Sequence, residues 1–213
     1  MSYAVKELYY TLQGEGAQAG RAAVFCRFTG CNLWTGREAD RQTATCSFCD
    51  TDFVGTDGPG GGVFPAADGL ASAISDCWLR HADGSGQPLV VFTGGEPALQ
   101  LDSPLIAALH ARSFEIAIET NGTKPLPEGI DWVCVSPKAG TEVVVQSGQE
   151  LKLVYPQCGF PPEAVSGWSF RHFFLQPMDG REATANTRAA AAYCLAHPQW
   201  RLSLQTHKLI GLP

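Results

Sequence analysis

The sequence predicts an α/β fold, an incomplete (β/α) barrel built on a mostly parallel sheet. Short β-branched or aromatic runs alternate with helical stretches, and the runs are apolar along nearly their whole length. Such strands belong to parallel sheets covered by helices. The polar residues that break the pattern follow directly after the runs. A closed eight-unit barrel takes about 250 residues; this chain has 213 and too few strand candidates, so the barrel is expected to stay open. A doubly wound open sheet is the rival architecture.

In chain order the expected strands are AAVFCRF (22–28), LVVFT (89–93), EIAIET (115–120), WVCVS (132–136), LKLV (151–154), HFFLQ (172–176) and RLSLQT (201–206). Helical stretches fit between several of them, at 66–81, 98–113 and 184–198. The segment GTDGPGGGV (55–63) reads as a Gly-rich loop too short to separate domains. With no compositional break and no internal repeat, residues 1–213 read as one domain. The residues after the strands are Thr93 to Glu96, Glu119 to Asn121, Ser136 to Lys138, Gln176 to Asp179, and His207 with Lys208. In α/β barrels this end of the strands is the active-site rim.

Charge and composition exclude some classes. The net charge is −6 and the 15 Lys and Arg residues are dispersed, so no basic run is present to meet nucleic-acid phosphates. The opening MSYAVKELYYTLQGEG lacks the cationic start and apolar core of a signal peptide. No apolar run approaches the roughly 18 residues of a membrane span. A cytoplasmic protein with reduced thiols is expected.

Of the eight cysteines, Cys26, Cys77, Cys134, Cys158 and Cys194 lie in apolar or helical stretches and read as small buried hydrophobes. Cys31, Cys46 and Cys49 sit in polar loop surroundings as C-x14-C-x2-C. Three readings compete. A structural zinc site wants a fourth ligand, a redox dithiol at Cys46 and Cys49 has no need of Cys31, and an iron–sulfur cluster held by three cysteines leaves one iron open. Phe48 offers an apolar face beside the metal. In VVFTGGEP (90–97), Gly94 and Gly95 let a ligand approach the backbone, and Glu96 is placed to accept from an ammonium group. A tight turn with Glu96 in the first helical turn and Pro97 at its start is the plainer alternative.

The three-cysteine loop after a strand, the aromatic residue before the last cysteine and the GGEP turn resemble the radical S-adenosylmethionine (SAM) superfamily, whose usual motif is C-x3-C-x2-C. Here the insert Asn32 to Thr45 separates the first cysteine. Further segments, YYTLQGEGAQAGRAAVFCRFTGCNLW (9–34), CDT (49–51), ETNGT (119–123), VSPK (135–138), LKLV (151–154) and QPMDG (176–180), resemble the 7-carboxy-7-deazaguanine synthase family.

That resemblance implies a reduced radical SAM core and a [4Fe–4S] cluster on Cys31, Cys46 and Cys49, its open iron chelated by SAM. It implies a 6-carboxy-5,6,7,8-tetrahydropterin substrate, converted to 7-carboxy-7-deazaguanine with loss of ammonia, and Mg2+ beside the cluster on the hydroxyl of Thr51, with Asp50 as fallback. A flavodoxin-like electron donor and a homodimer are further expectations. SAM is expected against Phe48, Cys49, Asp50, Gly95, Glu96, Ser136, Pro137, Lys138, Gln176, Pro177, Met178 and Asp179. The pterin is expected against Leu12, Gln13, Gly14, Glu15, Arg27, Thr93, Glu119, Asn121, His207 and Pro213. Arg27, a charge inside an apolar strand, is a candidate fork for the substrate carboxylate; a buried salt bridge is its alternative. Thr93 and His207 are read as ending two strands. Turns at Pro137 and Pro177, and an Asx turn at Asn121, are the plainer readings of those segments. A glycyl-radical activase and a zinc-stabilised binding module are the rival functions.

Overall fold

Strands buried on both faces place alternate side chains in two different environments, and that alternation organises this molecule. The computed structural model describes residues 2–213. Its strands are β1 (Tyr3–Leu12), β2 (Ala22–Phe28), β3 (Gly62–Phe64), β4 (Leu89–Gly94), β5 (Glu115–Thr120), β6 (Trp132–Val135), β7 (Ser147–Tyr155), β8 (Ser169–Pro177) and β9 (Trp200–Leu202). The helices are α1 (Ala67–Leu79), α2 (Ser103–His110), α3 (Ala183–Ala196) and α4 (Thr206–Ile210). All the strands join one sheet in the order β3-β1-β2-β4-β5-β6-β7-β8-β9, open at both edges. From β2 to β9 each neighbouring pair is parallel; β1 runs antiparallel to both β2 and β3. This is the incomplete barrel expected.

One face of the strands packs on helices. Val24, Cys26 and Phe28 of β2, Val90 and Phe92 of β4, and Ile116 and Ile118 of β5 join Leu70 and Ile74 of α1 and Leu105 and Leu109 of α2 in one core. Phe28 and Phe92 stack across it at 5.4 Å. Leu151, Leu153 and Leu175 form a second core with Ala190 of α3 and Trp200. The intervening side chains face the concave side. Ala23, Leu89, Val91 and Ala117 make a small apolar floor there, and residues nearer the C-terminal strand ends, Arg27, Thr93, Glu119, Lys152 and Gln176, are polar and line a cavity. Arg27 is therefore not a charge in a core; it points to the other side of its strand.

Four stretches differ from expectation. The strand β1 went unread because a register shift between Val5 and Glu7 inverts its alternation: Tyr3 and Val5 face the core before it, Leu8 and Tyr10 after it. The Gly-rich 55–63 segment runs into β3, which pairs with β1. The stretch 98–113 is not one helix. A short 3-10 turn at Pro97–Leu99 ends first, and α2 begins anew where Asp102 accepts from Leu105 N at 3.1 Å, with Pro104 in the first turn. At 201–206 only Trp200–Leu202 is strand, so His207 lies in α4 and ends no strand. Cys26, Cys77 and Cys134 are buried as expected, whereas Cys158 is exposed on a turn. Among the described residues no helix is long and apolar enough to cross a membrane.

Candidate active site

The C-terminal strand ends open into a cavity of about 450 Å3. Its lining brings together Cys31, Cys46 and Cys49 with Phe48, Asp50 and Thr51; Leu12, Gln13, Gly14 and Glu15 with Arg27, Thr93, Glu119 and Asn121; and Gly95, Ser136, Lys138, Gln176, Pro177, Met178, Asp179, His207 and Pro213. Glu96 and Pro137 are not part of it.

The cysteine loop is organised by contacts of its own. Arg41 donates to the carbonyls of Ser47 and Cys49, both at 2.9 Å, and lies over the Trp34 ring at 4.1 Å. The insert is thus folded back on the C-x2-C segment, with a 3-10 turn at Glu38–Thr43. The neighbouring Cys46 thiol lowers Cys49 to about 6, while Cys49 and burial push Cys46 well above the usual range. Burial pushes Cys31 up, opposed by backbone N–H donors including Leu33 N at 3.4 Å. Burial lowers the Lys138 ammonium, and the neighbouring Cys46 and Cys49 sulfurs oppose this.

Among the described residues no three His, Cys, Asp or Glu side chains converge on one metal ion's position. A cluster of several irons takes each thiolate on a separate iron, so it needs sulfurs set around a space rather than meeting at a point. Three thiols lining one cavity fit that group, and neighbouring Lys138 offsets thiolate charge.

Glu96 is fully buried, and burial raises its pKa against its hydrogen bonds. Its oxygens accept from Ala98 N at 2.9 Å, Thr120 Oγ1 at 2.7 Å and Asn121 N at 2.8 Å. The carboxylate caps the turn after β4 and ties it to the end of β5, which is the role the plainer reading gave it. Gly95 is required by the packing of the chain itself. A Cβ there would lie 2.1 Å from Gly30 O and 2.8 Å from Cys31 Cβ, so the glycine lets the cysteine loop cross the GGEP turn. Pro137 follows β6 without forming a turn, and its carbonyl accepts from Gln157 Nε2 at 3.3 Å.

Arg27 is only partly free. Nε donates to Glu7 Oε1 at 2.6 Å and one terminal nitrogen to Tyr9 OH at 3.0 Å, so the salt-bridge alternative holds, while Arg27 still lines the cavity. Asn121 makes the Asx turn, accepting from Thr123 N at 2.9 Å, and still lines the cavity.

Residues not anticipated complete the site. Lys152, buried on β7, pairs with both Glu15 and Glu119. It carried the same signal as Arg27, a charge within an apolar strand. Lys208 spans Asp50 at 2.8 Å and Asp179 at 2.6 Å across the cavity mouth. The two ends of the chain meet here: Thr206 N donates to Gly14 O at 2.9 Å, and Thr11 Oγ1 to Pro213 O at 3.2 Å. A Cβ on Gly14 would fall 2.1 Å from His207 Nδ1, which explains that glycine.

No family model matches the chain. A 7-carboxy-7-deazaguanine synthase from Bordetella pertussis is 66% identical over 213 residues, covering all of both chains. One from Caulobacter vibrioides is 63% identical over 213 residues, again covering all of both. The crystal structure of QueE from Escherichia coli matches with a TM-score of 0.70 at 28% identity, over 97% of this chain and 95% of that one. Likeness at this level along the entire length has one reading: the chain belongs to the 7-carboxy-7-deazaguanine synthase family of radical SAM enzymes.

Proposed function

We propose that the chain converts 6-carboxy-5,6,7,8-tetrahydropterin to 7-carboxy-7-deazaguanine with loss of ammonia, as a radical SAM carbon–nitrogen lyase on the route to queuosine and other 7-deazapurines. The observation that carries this is one cavity whose lining joins three thiols to an acceptor-rich recess. When bound, the reduced [4Fe–4S] cluster delivers the electron that splits SAM, giving the 5′-deoxyadenosyl radical that takes a hydrogen from C6 of the substrate.

The chain's own residues bind and orient. Cys31, Cys46 and Cys49 hold the cluster. Gln13, Glu15 and Glu119 pair with the guanidine-like edge of the pterin, Leu12 and Gly14 shape the recess, and Thr93, Asn121 and His207 add polar contacts. Arg27 meets the substrate carboxylate with the Nη1 group that Glu7 and Tyr9 leave available, and Pro213 closes the recess. Phe48 to Asp50 flank the adenine of SAM, Gly95 backs its methionyl end, Ser136 and Lys138 stand near its ribose and carboxylate, and Gln176 to Asp179 cover the far side. The Thr51 hydroxyl ligates Mg2+, which keeps water and substrate oxygens readily. The engagement of Asp50 by Lys208 supports this choice over the fallback.

Residues 1–213 act as one radical SAM domain, a reading supported by the single continuous sheet. The enzyme works as a cytoplasmic homodimer fed by a flavodoxin-like donor.

The test is an anaerobic reaction of reconstituted protein with dithionite, SAM, Mg2+ and the pterin, followed by mass spectrometry. Formation of 7-carboxy-7-deazaguanine supports the reading; deoxyadenosine release without it removes the substrate assignment. Arg27→Ala is expected to lower pterin turnover about 10- to 100-fold, the loss of one charged hydrogen bond, while SAM cleavage continues. A glycyl-radical activase would show no such separation.

A further inference from the structure

Lys152 has no part in the roles above, yet it is only 3% exposed and rises from β7 between two carboxylates brought from distant parts of the chain. Nζ donates to Glu15 Oε2 and, at 2.7 Å, to Glu119 Oε2. The second oxygen of each carboxylate is held too: Glu15 Oε1 accepts from Gln205 Nε2 at 3.0 Å, and Glu119 Oε1 from Gln13 Nε2 at 2.8 Å. Gln13 Oε1 accepts in turn from Glu15 N at 3.0 Å. The result is a closed hydrogen-bonded ring that runs through the cation, with all four of its residues lining the cavity.

We propose that Lys152 is a positioning residue for substrate recognition, holding Glu15 and Glu119 together and aimed so that the recess selects the N–H-donating edge of a neutral ring. The proposal rests on the reading of Glu15 and Glu119 as substrate-facing groups. The physical reason is that two half-buried carboxylates held against one another repel, and without the cation between them one is driven to take up a proton and become a donor. Other charges facing the cluster sharpen the need. Glu150, two residues back on β7, accepts from Ala17 N and faces the Cys134 thiol of β6, Lys138 follows β6, and His207 approaches Glu15 from α4. Burial alone would discharge Lys152; Glu119 and Glu15 reverse that and hold the ammonium well above its ordinary range.

The experiment compares reconstituted wild type, Lys152→Met and Lys152→Arg in kcat and KM for the pterin across pH, with iron content as a control. In Lys152→Met, kcat/KM is expected to fall about tenfold or more, the scale of one charged hydrogen bond, chiefly through KM. Its acid limb is expected to move toward neutral pH, as the carboxylate pair is protonated at higher pH without its cation. Lys152→Arg keeps the wild-type acid limb. Infrared titration of the same proteins is expected to show a protonated carboxyl band in Lys152→Met persisting to higher pH than in wild type, and to lose it in Lys152→Met/Glu119→Gln. Equal loss of kcat/KM at every pH with an unmoved acid limb, or no difference in the carboxyl band, overturns the proposal. Should Lys152→Met not fold, Lys152→Arg decides: a retained acid limb supports the proposal and a displaced one overturns it. Failure of wild type to make product would instead sink the substrate reading, and the infrared comparison would stand apart from it.

Discussion

At Glu15, burial and charge pull in opposite directions. Burial raises its pKa, but the Lys152 ammonium and hydrogen bonds from Lys152 and Gln205 outweigh it and leave the carboxyl below its ordinary range. A depressed folded pKa contributes stability that is present above the unfolded value of about 4.3 and lost as pH falls through the folded one. Glu15→Gln is therefore expected to lower stability to urea at neutral pH by an amount that shrinks in acid; a penalty constant with pH would show that the charge is not what matters. At Thr51, replacement by Ala is expected to weaken the dependence of turnover on Mg2+ while deoxyadenosine release survives, and an unchanged Mg2+ titration would return the ligand role to Asp50. Single residues were legible where they broke a pattern. Arg27 stood out in its strand, but Glu7 and Tyr9, which occupy it, come from β1, whose bulge hid the strand. The tie from Glu96 to Thr120 and Asn121 was not legible, because these partners are distant in sequence and near only after the sheet forms.

Among the elements, the turn after β4 is a tight junction. Gly95→Ala would push a methyl against Gly30 O and Cys31 Cβ, at a cost of about 1–3 kcal/mol typical of overpacking. Because the displaced neighbour is Cys31, the variant is expected to bind less iron on reconstitution than wild type even where its melting curve is close. Full iron loading would mean that the cysteine loop moves freely of the turn. The strands β2 and β5 fell at their expected bounds, since continuous apolar runs need no partner to be recognised. β9 and α4 did not, because RLSLQTHKLI mixes apolar and polar residues without a clear period, and its helical turn is held by contacts to the Gly14 backbone.

For the whole molecule, the alternation of strand and helix was enough to give an open parallel sheet, and the residues after the strands gave the rim. What pairs across the rim was not legible, because Lys152, Gln205 and Lys208 take their meaning from partners on other elements. Pro213 lines the cavity and its carbonyl oxygen accepts from Thr11. Adding residues after Pro213 is therefore expected to impair turnover several-fold more than adding the same residues before Met1, as measured by product formation at equal iron content. Equal effects would place Pro213 outside the working site. The meeting of the chain's ends also bears on the order in which the molecule assembles. Thr206 and Gly14 are 192 residues apart in sequence, so their contact closes one of the longest loops the chain can form. Loop closure of that length waits until the sheet has already drawn the ends together. What forms last and rests on few buried apolar contacts also opens first. Hydrogen exchange at Thr206 and its neighbours should thus run ahead of exchange in β4 and β5, a local fraying at the cavity's rim that leaves the sheet intact.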